Sequence, residues 1–213
     1  MKAVIIGSTG LVGQEILKLL IAESRITSIK SFSRQAVDLN HPKLSQRLIS
    51  FEDMQSWNHE IESDIAFSSL GTTRSIAGGI AQQYKVDFTY QAAFAKECRN
   101  HNVNRYVLIS SIGADPQSKI PYLKMKGELE EYVMSLGLAH VSILRPGPLV
   151  GSRNHRRYAE EAMLPFNRFL SKLPGLSDLE PVSAYKVALC AVRSALSPSK
   201  NVLVTAQEIR EIS

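Results

Sequence analysis

Tyr122 and Lys126 stand four residues apart in Tyr122-Leu123-Lys124-Met125-Lys126, a spacing that puts both on one face of a helix. An isolated phenol titrates near pH ~10 and moves protons poorly at neutrality. An ammonium beside it favours the phenolate, so the pair is a candidate proton-transfer site. Of the seven tyrosines, only Tyr122 has a lysine at this spacing. Ser110 and Ser111 precede the tyrosine by twelve and eleven residues, and a serine hydroxyl there could hold a carbonyl or alcohol oxygen in line with the phenol. The plain alternative is a tyrosine at a helix end with an unrelated surface lysine, in a segment that also carries Lys119 and Lys124.

A second constellation lies at the N-terminus, in Gly7-Ser8-Thr9-Gly10-Leu11-Val12-Gly13. The apolar run Ala3-Val4-Ile5-Ile6 before it reads as a strand buried on both faces. Leu11, Ile16, Leu17, Leu19 and Leu20 follow at helical spacing. A strand that turns into a helix through glycines lets a phosphate approach the backbone, and the helix N–H groups and dipole then hold it. The spacing is G-x-x-G-x-x-G, and with this context it predicts dinucleotide binding.

The elements needed to position both groups alternate along the chain. Strands are expected at Ile26–Ser33, Gln46–Phe51, Asp64–Leu70, Arg105–Ser110, Val141–Leu144 and Val202–Val204. Helices are expected from about Tyr84 to Asn100, from Pro121 to just before Gly137, and from Ala184 to Leu196, with an amphipathic segment around Tyr158–Leu173. Such alternation predicts an α/β fold: a Rossmann-like, doubly wound, mostly parallel sheet with helices on both faces. Residues 1–213 are expected to form a single dinucleotide-binding domain, with 148–213 contributing a small substrate-side region. Ligands of such sheets bind beyond the C-terminal strand ends. Those ends carry Ser33-Arg34, Leu70-Gly71-Thr72, Ser110-Ser111 and Arg145-Pro146-Gly147.

The glycine start, the serine after the fifth strand and Y-x-x-x-K together resemble the short-chain dehydrogenase/reductase superfamily. Ser69-Leu70-Gly71-Thr72-Thr73-Arg74, Leu108-Ile109-Ser110-Ser111-Ile112-Gly113-Ala114-Asp115, Tyr122 to Glu128 and Leu144-Arg145-Pro146-Gly147 are similar to one atypical branch, that of the Tat-interacting tumour-suppressor oxidoreductase and its bacterial relatives. The resemblance implies an NADP(H)-binding domain in which Tyr122 is the acid/base, Lys126 holds the nicotinamide ribose and depresses the tyrosine pKa, and Ser111 positions the substrate oxygen, with Ser110 as the fallback. Two departures from the pattern stand out. Ser50 replaces the aspartate that relatives use against the adenine, and the region after Pro146 is shorter than in nucleotide-sugar epimerases.

Cofactor choice follows from strand two. NAD-selective sites end it with a carboxylate that bonds the ribose 2′-hydroxyl. Here Ser31-Phe32-Ser33-Arg34 offers a hydroxyl and a guanidinium, which favours NADP(H), with NAD(H) as the alternative. Arg34 could equally be a solvated loop arginine. Arg153 could also face the cofactor phosphates, and a surface charge is its alternative.

The remaining composition excludes more than it assigns. A net charge of +5 is modest and is no nucleic-acid footprint. Cys98 and Cys190 lie far apart, and no histidine or cysteine spacing suggests a metal. The first apolar run is too short for a signal peptide, and no stretch reaches membrane-spanning length, so a cytoplasmic location is expected. The expected partner is a small-molecule substrate. A homodimer through the fourth and fifth helices stays open, because packing on the sheet explains their apolar stripes equally well. Three functions fit: an NADP-dependent oxidoreductase acting on a small carbonyl/alcohol pair, a cofactor-sensing regulator acting through a protein partner, or an epimerase-like enzyme holding NAD.

Overall fold

A computed structural model describes residues 1–150, 180–197 and 201–213. In β1 (Lys2–Ile6), Ala3 and Ile5 enter the core on one side of the sheet, and Val4 and Ile6 on the other. That two-sided burial is what a continuous apolar run in a parallel sheet produces. β2 (Ser28–Ser33), β3 (Leu44–Leu48), β4 (Ile65–Ser68), β5 (Arg105–Ile109) and β6 (His140–Leu144) follow, and β7 (Leu149–Val150) pairs in parallel with β8 (Val182–Ser183) as a separate ribbon. With β9 (Val202–Val204) the main sheet has, among the described residues, seven parallel strands in the order β3-β2-β1-β4-β5-β6-β9. The order reverses between β1 and β4, the place where ligands bind in doubly wound sheets.

Each face of the sheet has its own core. On one side α1 (Leu11–Ala22) buries Val12, Ile16, Leu17 and Leu20. The short helices α2 (Arg74–Ala77) and α3 (Ile80–Tyr84) follow β4, and α3 runs through a π-turn at Lys85–Thr89 into α4 (Tyr90–Asn100). α4 and α5 (Pro121–Ser135) cover the second face with Ala92, Phe94, Leu129 and Val133. Trp57 belongs to that core, fully buried, with its ring centroid 4.7 Å from that of Phe32. α6 (Ala184–Leu196) returns to the first face and packs Val187, Ala188 and Ala191 there, against α1. α7 (Ala206–Glu211) closes the chain with a Thr205/Glu208 capping box.

Most expected elements are present, with two differences. β3 begins at Leu44 and ends at Leu48, because Phe51 leaves the edge strand to pack edge-on against Trp57, 6.0 Å between ring centroids. The fourth helical stretch starts at Ile80 rather than Tyr84 and contains a π-turn that no apolar period announces. α6 and β9 complete the sheet and its first core, while Pro148 and Leu149 line the cleft described below. The amphipathic segment expected at Tyr158–Leu173 lies outside the described residues.

One glycine fixes how α5 meets the loop before it. A Cβ on Gly127 would lie 2.3 Å from the Asp115 carbonyl carbon and 2.3 Å from the Pro116 nitrogen. Backbone pressed this close cannot give way as a flexible side chain does. Gly127→Ala is expected to cost about 1–3 kcal/mol through overpacking, at roughly 2–4 °C of melting temperature per kcal/mol for a chain of this size. Thermal unfolding of the variant checks this, and an unchanged midpoint would mean that the loop is not held against α5.

Candidate active site

The site begins where β1 turns into α1. Gly7 has φ +83°, and a Cβ there would lie 2.4 Å from the Ser69 carbonyl carbon. A Cβ on Gly13 would meet the Gly7 carbonyl oxygen at 2.1 Å. These two glycines let the turn, α1 and the end of β4 close on one another. Gly10 is the N-cap of α1: no side chain caps that end, and no acidic residue occupies its first turn. The first N–H groups and the positive end of the helix are therefore left for an outside anion. Gly10, Leu11 and Val12 line a cleft of about 460 Å³ at the C-terminal edge of the sheet. This cradle suits a dinucleotide pyrophosphate.

Opposite the glycine turn, the segment after β4 supplies Leu70, Gly71, Thr72, Thr73 and Arg74 to the same cleft. Thr73 caps α2 by accepting the Ile76 N–H at 3.3 Å. Thr72 is gripped from both sides: its N–H donates to Asp87 Oδ2 at 3.2 Å, and its carbonyl accepts from Gln83 Nε2 at 3.3 Å. Both partners are buried, Asp87 in the π-turn and Gln83 in α3.

α5 brings the third side. Tyr122 is half-buried as the second residue of α5, and Lys126 lies one turn further on with its side chain 2% exposed. Lys126 Nζ stands 3.1 Å from Asp87 Oδ1, and that carboxylate is equally buried at 1%. Burial alone would lower the lysine pKa; the Asp87 carboxylate, with Tyr122 and Glu130 adding to it, outweighs that and holds the ammonium above its ordinary value of 10.5. Such a lysine stays charged at neutral pH and gives up its proton only as pH rises past that value. The stability contributed by the lysine's charge is thus complete below pH 10.5 and is lost as pH rises through the raised value.

The two serines differ in what they can offer. Ser110 is buried and gives its hydroxyl to Glu130 Oε1. Arg145 holds the same carboxylate, Nε reaching Oε1 at 3.0 Å and Oε2 at 3.1 Å. Glu130 in turn raises the Arg145 guanidinium's pKa. Ser111 is half-buried, and among the described residues its hydroxyl meets the Ile112 carbonyl alone, at 3.2 Å, an adjacent-residue contact that a ligand can displace. Of the pair, Ser111 is the one with a hydroxyl to give.

The cleft gathers most of the residues singled out by sequence: Gly10, Leu11, Val12, Leu70, Gly71, Thr72, Ser110, Ser111, Tyr122, Lys126 and Pro146 all line it. Gly7 and Gly13 shape it from behind. Ser8 is fully buried, and its Oγ accepts the Ser31 hydroxyl at 2.6 Å, so its side chain faces the interior. Thr9 is exposed beside the turn. Ser33 gives its hydroxyl to the Gln35 carbonyl at 2.6 Å, and Arg34 is exposed next to it; both lie at the end of β2 and outside the cleft lining. Arg153 lies outside the described residues. Sequence reasoning missed Asp87 and Glu130. The available signal was spacing: Gln83, Asp87 and Gln91 recur every four residues, as do Tyr122, Lys126 and Glu130, and all but Tyr122 are buried.

Comparison with known proteins agrees with this geometry. A model of the NAD(P)H-binding family matches residues 7–170. The protein fmp52-1, mitochondrial, of Aspergillus terreus is 36% identical over 201 residues, covering 90% of this chain and 86% of its own. The FMP52 protein, mitochondrial, of Candida glabrata is 32% identical over 205 residues, covering 93% and 86%. Among solved structures, the Thermus thermophilus UDP-glucose 4-epimerase complex with NAD superposes with a TM-score of 0.74 at 16% identity, over 98% of this chain and 81% of the epimerase. The Bordetella bronchiseptica enzyme WbmH in complex with NAD+ gives 0.71 at 18% identity, over 94% and 74%. At such identities these two speak to the fold alone. The relatives overturn the cytoplasmic location expected from sequence, since they are mitochondrial by name. Apolar run length bears on secretion and membrane spanning, and an organelle address leaves no mark in it. The narrower likeness to the tumour-suppressor branch is carried by the motifs alone. Sequence, sheet order and cleft converge on one statement: the chain belongs to the NAD(P)H-binding family.

Proposed function

We propose that the protein is an NADP(H)-dependent oxidoreductase acting on a small carbonyl/alcohol pair. The observation that carries this reading is the convergence of Ser111, Tyr122 and Lys126 on the cleft that the glycine turn opens. A bound nicotinamide supplies the hydride chemistry. The chain's own residues do the rest. The first turn of α1 binds the pyrophosphate, and Lys126 holds the ribose with an ammonium kept charged by Asp87. Ser111 Oγ orients the substrate oxygen, and the Tyr122 hydroxyl gives that oxygen a proton in reduction or takes it back in oxidation. Leu70, Ile112, Pro148 and Leu149 supply an apolar lining that limits water around the proton transfer. Glu130 binds the Ser110 hydroxyl from behind, which leaves its neighbour Ser111 to the substrate.

Two outcomes test the reading. Tyr122→Phe is expected to remove turnover of small aldehydes, ketones and quinones while leaving NADPH affinity nearly intact, because only the hydroxyl is gone. Lys126→Met is expected to damage both. Parent-rate turnover by Tyr122→Phe would take the proton transfer away from α5 and make a cofactor-sensing role the better account.

The preference for NADPH over NADH is expected from Arg34 beside Ser33, at a strand end without a carboxylate. One arginine–phosphate interaction is worth about 1.5–3 kcal/mol, or roughly ten- to a hundredfold in affinity. Calorimetric titration of both cofactors against the parent and Arg34→Ala measures it. Equal affinities in the parent, or an undiminished preference in the variant, would remove Arg34 from the 2′-phosphate.

A further inference from the structure

Asp87 is a buried carboxylate that meets neither cofactor nor substrate in the steps above, yet it joins two walls of the cleft, the Thr72 segment and α5. Its Oδ2 accepts the Thr72 N–H at 3.2 Å, and its Oδ1 faces Lys126 Nζ at 3.1 Å. Among the described residues, the Lys126 ammonium is the group that balances Oδ1. The backbone of Asp87 is fixed as well. Gln91 Nε2 donates to the Asp87 carbonyl at 3.0 Å, in the π-turn where the regular ladder is broken, and Gln91 Oε1 accepts the Ser68 hydroxyl at 2.8 Å. A buried polar chain thus runs from the end of β4 through α4 and the π-turn to α5. π-turns of this kind are frequent at functional sites.

We propose that Asp87 is the positioning residue of the site, aiming the Lys126 ammonium into the cleft and keeping it charged where water is excluded. This inference rests on the reading that Lys126 holds the cofactor. An ammonium has three donors; one directed to Asp87 leaves two for the paired hydroxyls of a ribose. The groups facing Lys126 are Asp87 from the π-turn and Tyr122 and Glu130 from its own helix. With Asp87 neutralised, burial opposes the charge and only the weaker influences of Tyr122 and Glu130 remain, so the proton leaves at a lower pH.

The test is NADPH affinity by calorimetry from about pH 7 to about pH 10, for the parent, Asp87→Asn, Lys126→Met and the double variant. Parent affinity is expected to stay flat. Asp87→Asn is expected to bind like the parent at the low end and to fall by about tenfold or more toward the Lys126→Met value at the high end. The double variant is expected to match Lys126→Met throughout. A flat Asp87→Asn profile, or a further loss when Asp87→Asn is added to Lys126→Met, would overturn the proposal. If Asp87→Asn fails to fold while the double variant folds, the unpaired ammonium is the fault and the proposal stands. If the double variant also fails while Lys126→Met folds, Asp87 serves the π-turn alone and the proposal falls. Parent-like affinity in Lys126→Met would be a different failure, that of the proposed cofactor role of the lysine, and would take this inference with it.

Discussion

Lys126 and Asp87 face each other at 3.1 Å with almost no access to water, and the arrangement of the cleft depends on that contact. A buried pair is no great source of stability in itself, because desolvation of two charges cancels much of their attraction. Breaking it is another matter. Removing one partner leaves an uncompensated charge, at a cost of about 3–5 kcal/mol. The pair therefore acts as a constraint more than as glue: α5, the π-turn and the Thr72 loop can be assembled in one way that keeps both charges matched. A second, partly buried cluster, Ser110–Glu130–Arg145, applies the same constraint to the ends of β5 and β6 and the body of α5.

The two ends of the cleft are built on different principles. At the glycine turn there are no side chains to speak of, and the site is made by bringing backbone within contact of backbone at Gly7, Gly13 and Ser69. What faces the ligand is peptide N–H, suited to phosphate. At the α5 end the site is made of side chains whose charges are paired inside the protein. Tyr122 and Ser111 remain with hydroxyls uncommitted to buried charges, where the proposed chemistry has an oxygen held and a proton moved. A dinucleotide has this same polarity: phosphates at its middle and a reactive ring at its end.

Much of this was legible in the sequence, and the physical reasons are specific. β1, β5 and α6 could be placed because continuous apolar runs and helical spacing report burial directly. Tyr122 and Lys126 could be named because their chemistry is tied to a short local spacing, whereas the choice of Ser111 over Ser110 came from the family resemblance. Asp87 could not, since a carboxylate within a helical stretch reads as solvated unless its partner, 39 positions later in the chain, is already known. The π-turn that presents it has no compositional signature. β7 and β8 have two residues each, too short for any periodicity. Glu130 would have been found by extending the four-residue step from Tyr122 and Lys126 once more.

The central claim is that the glycine turn and α5 serve one bound dinucleotide, and a crystal structure with NADP+ and no substrate tests it most directly. The pyrophosphate is predicted against the N–H groups of Leu11 and Val12. Lys126 should reach the nicotinamide-side ribose without releasing Asp87, and the ring should lie within reach of Tyr122 and Ser111. A dinucleotide bound elsewhere, or one whose ring turns away from Tyr122 with Lys126 still sealed behind it, would contradict the account.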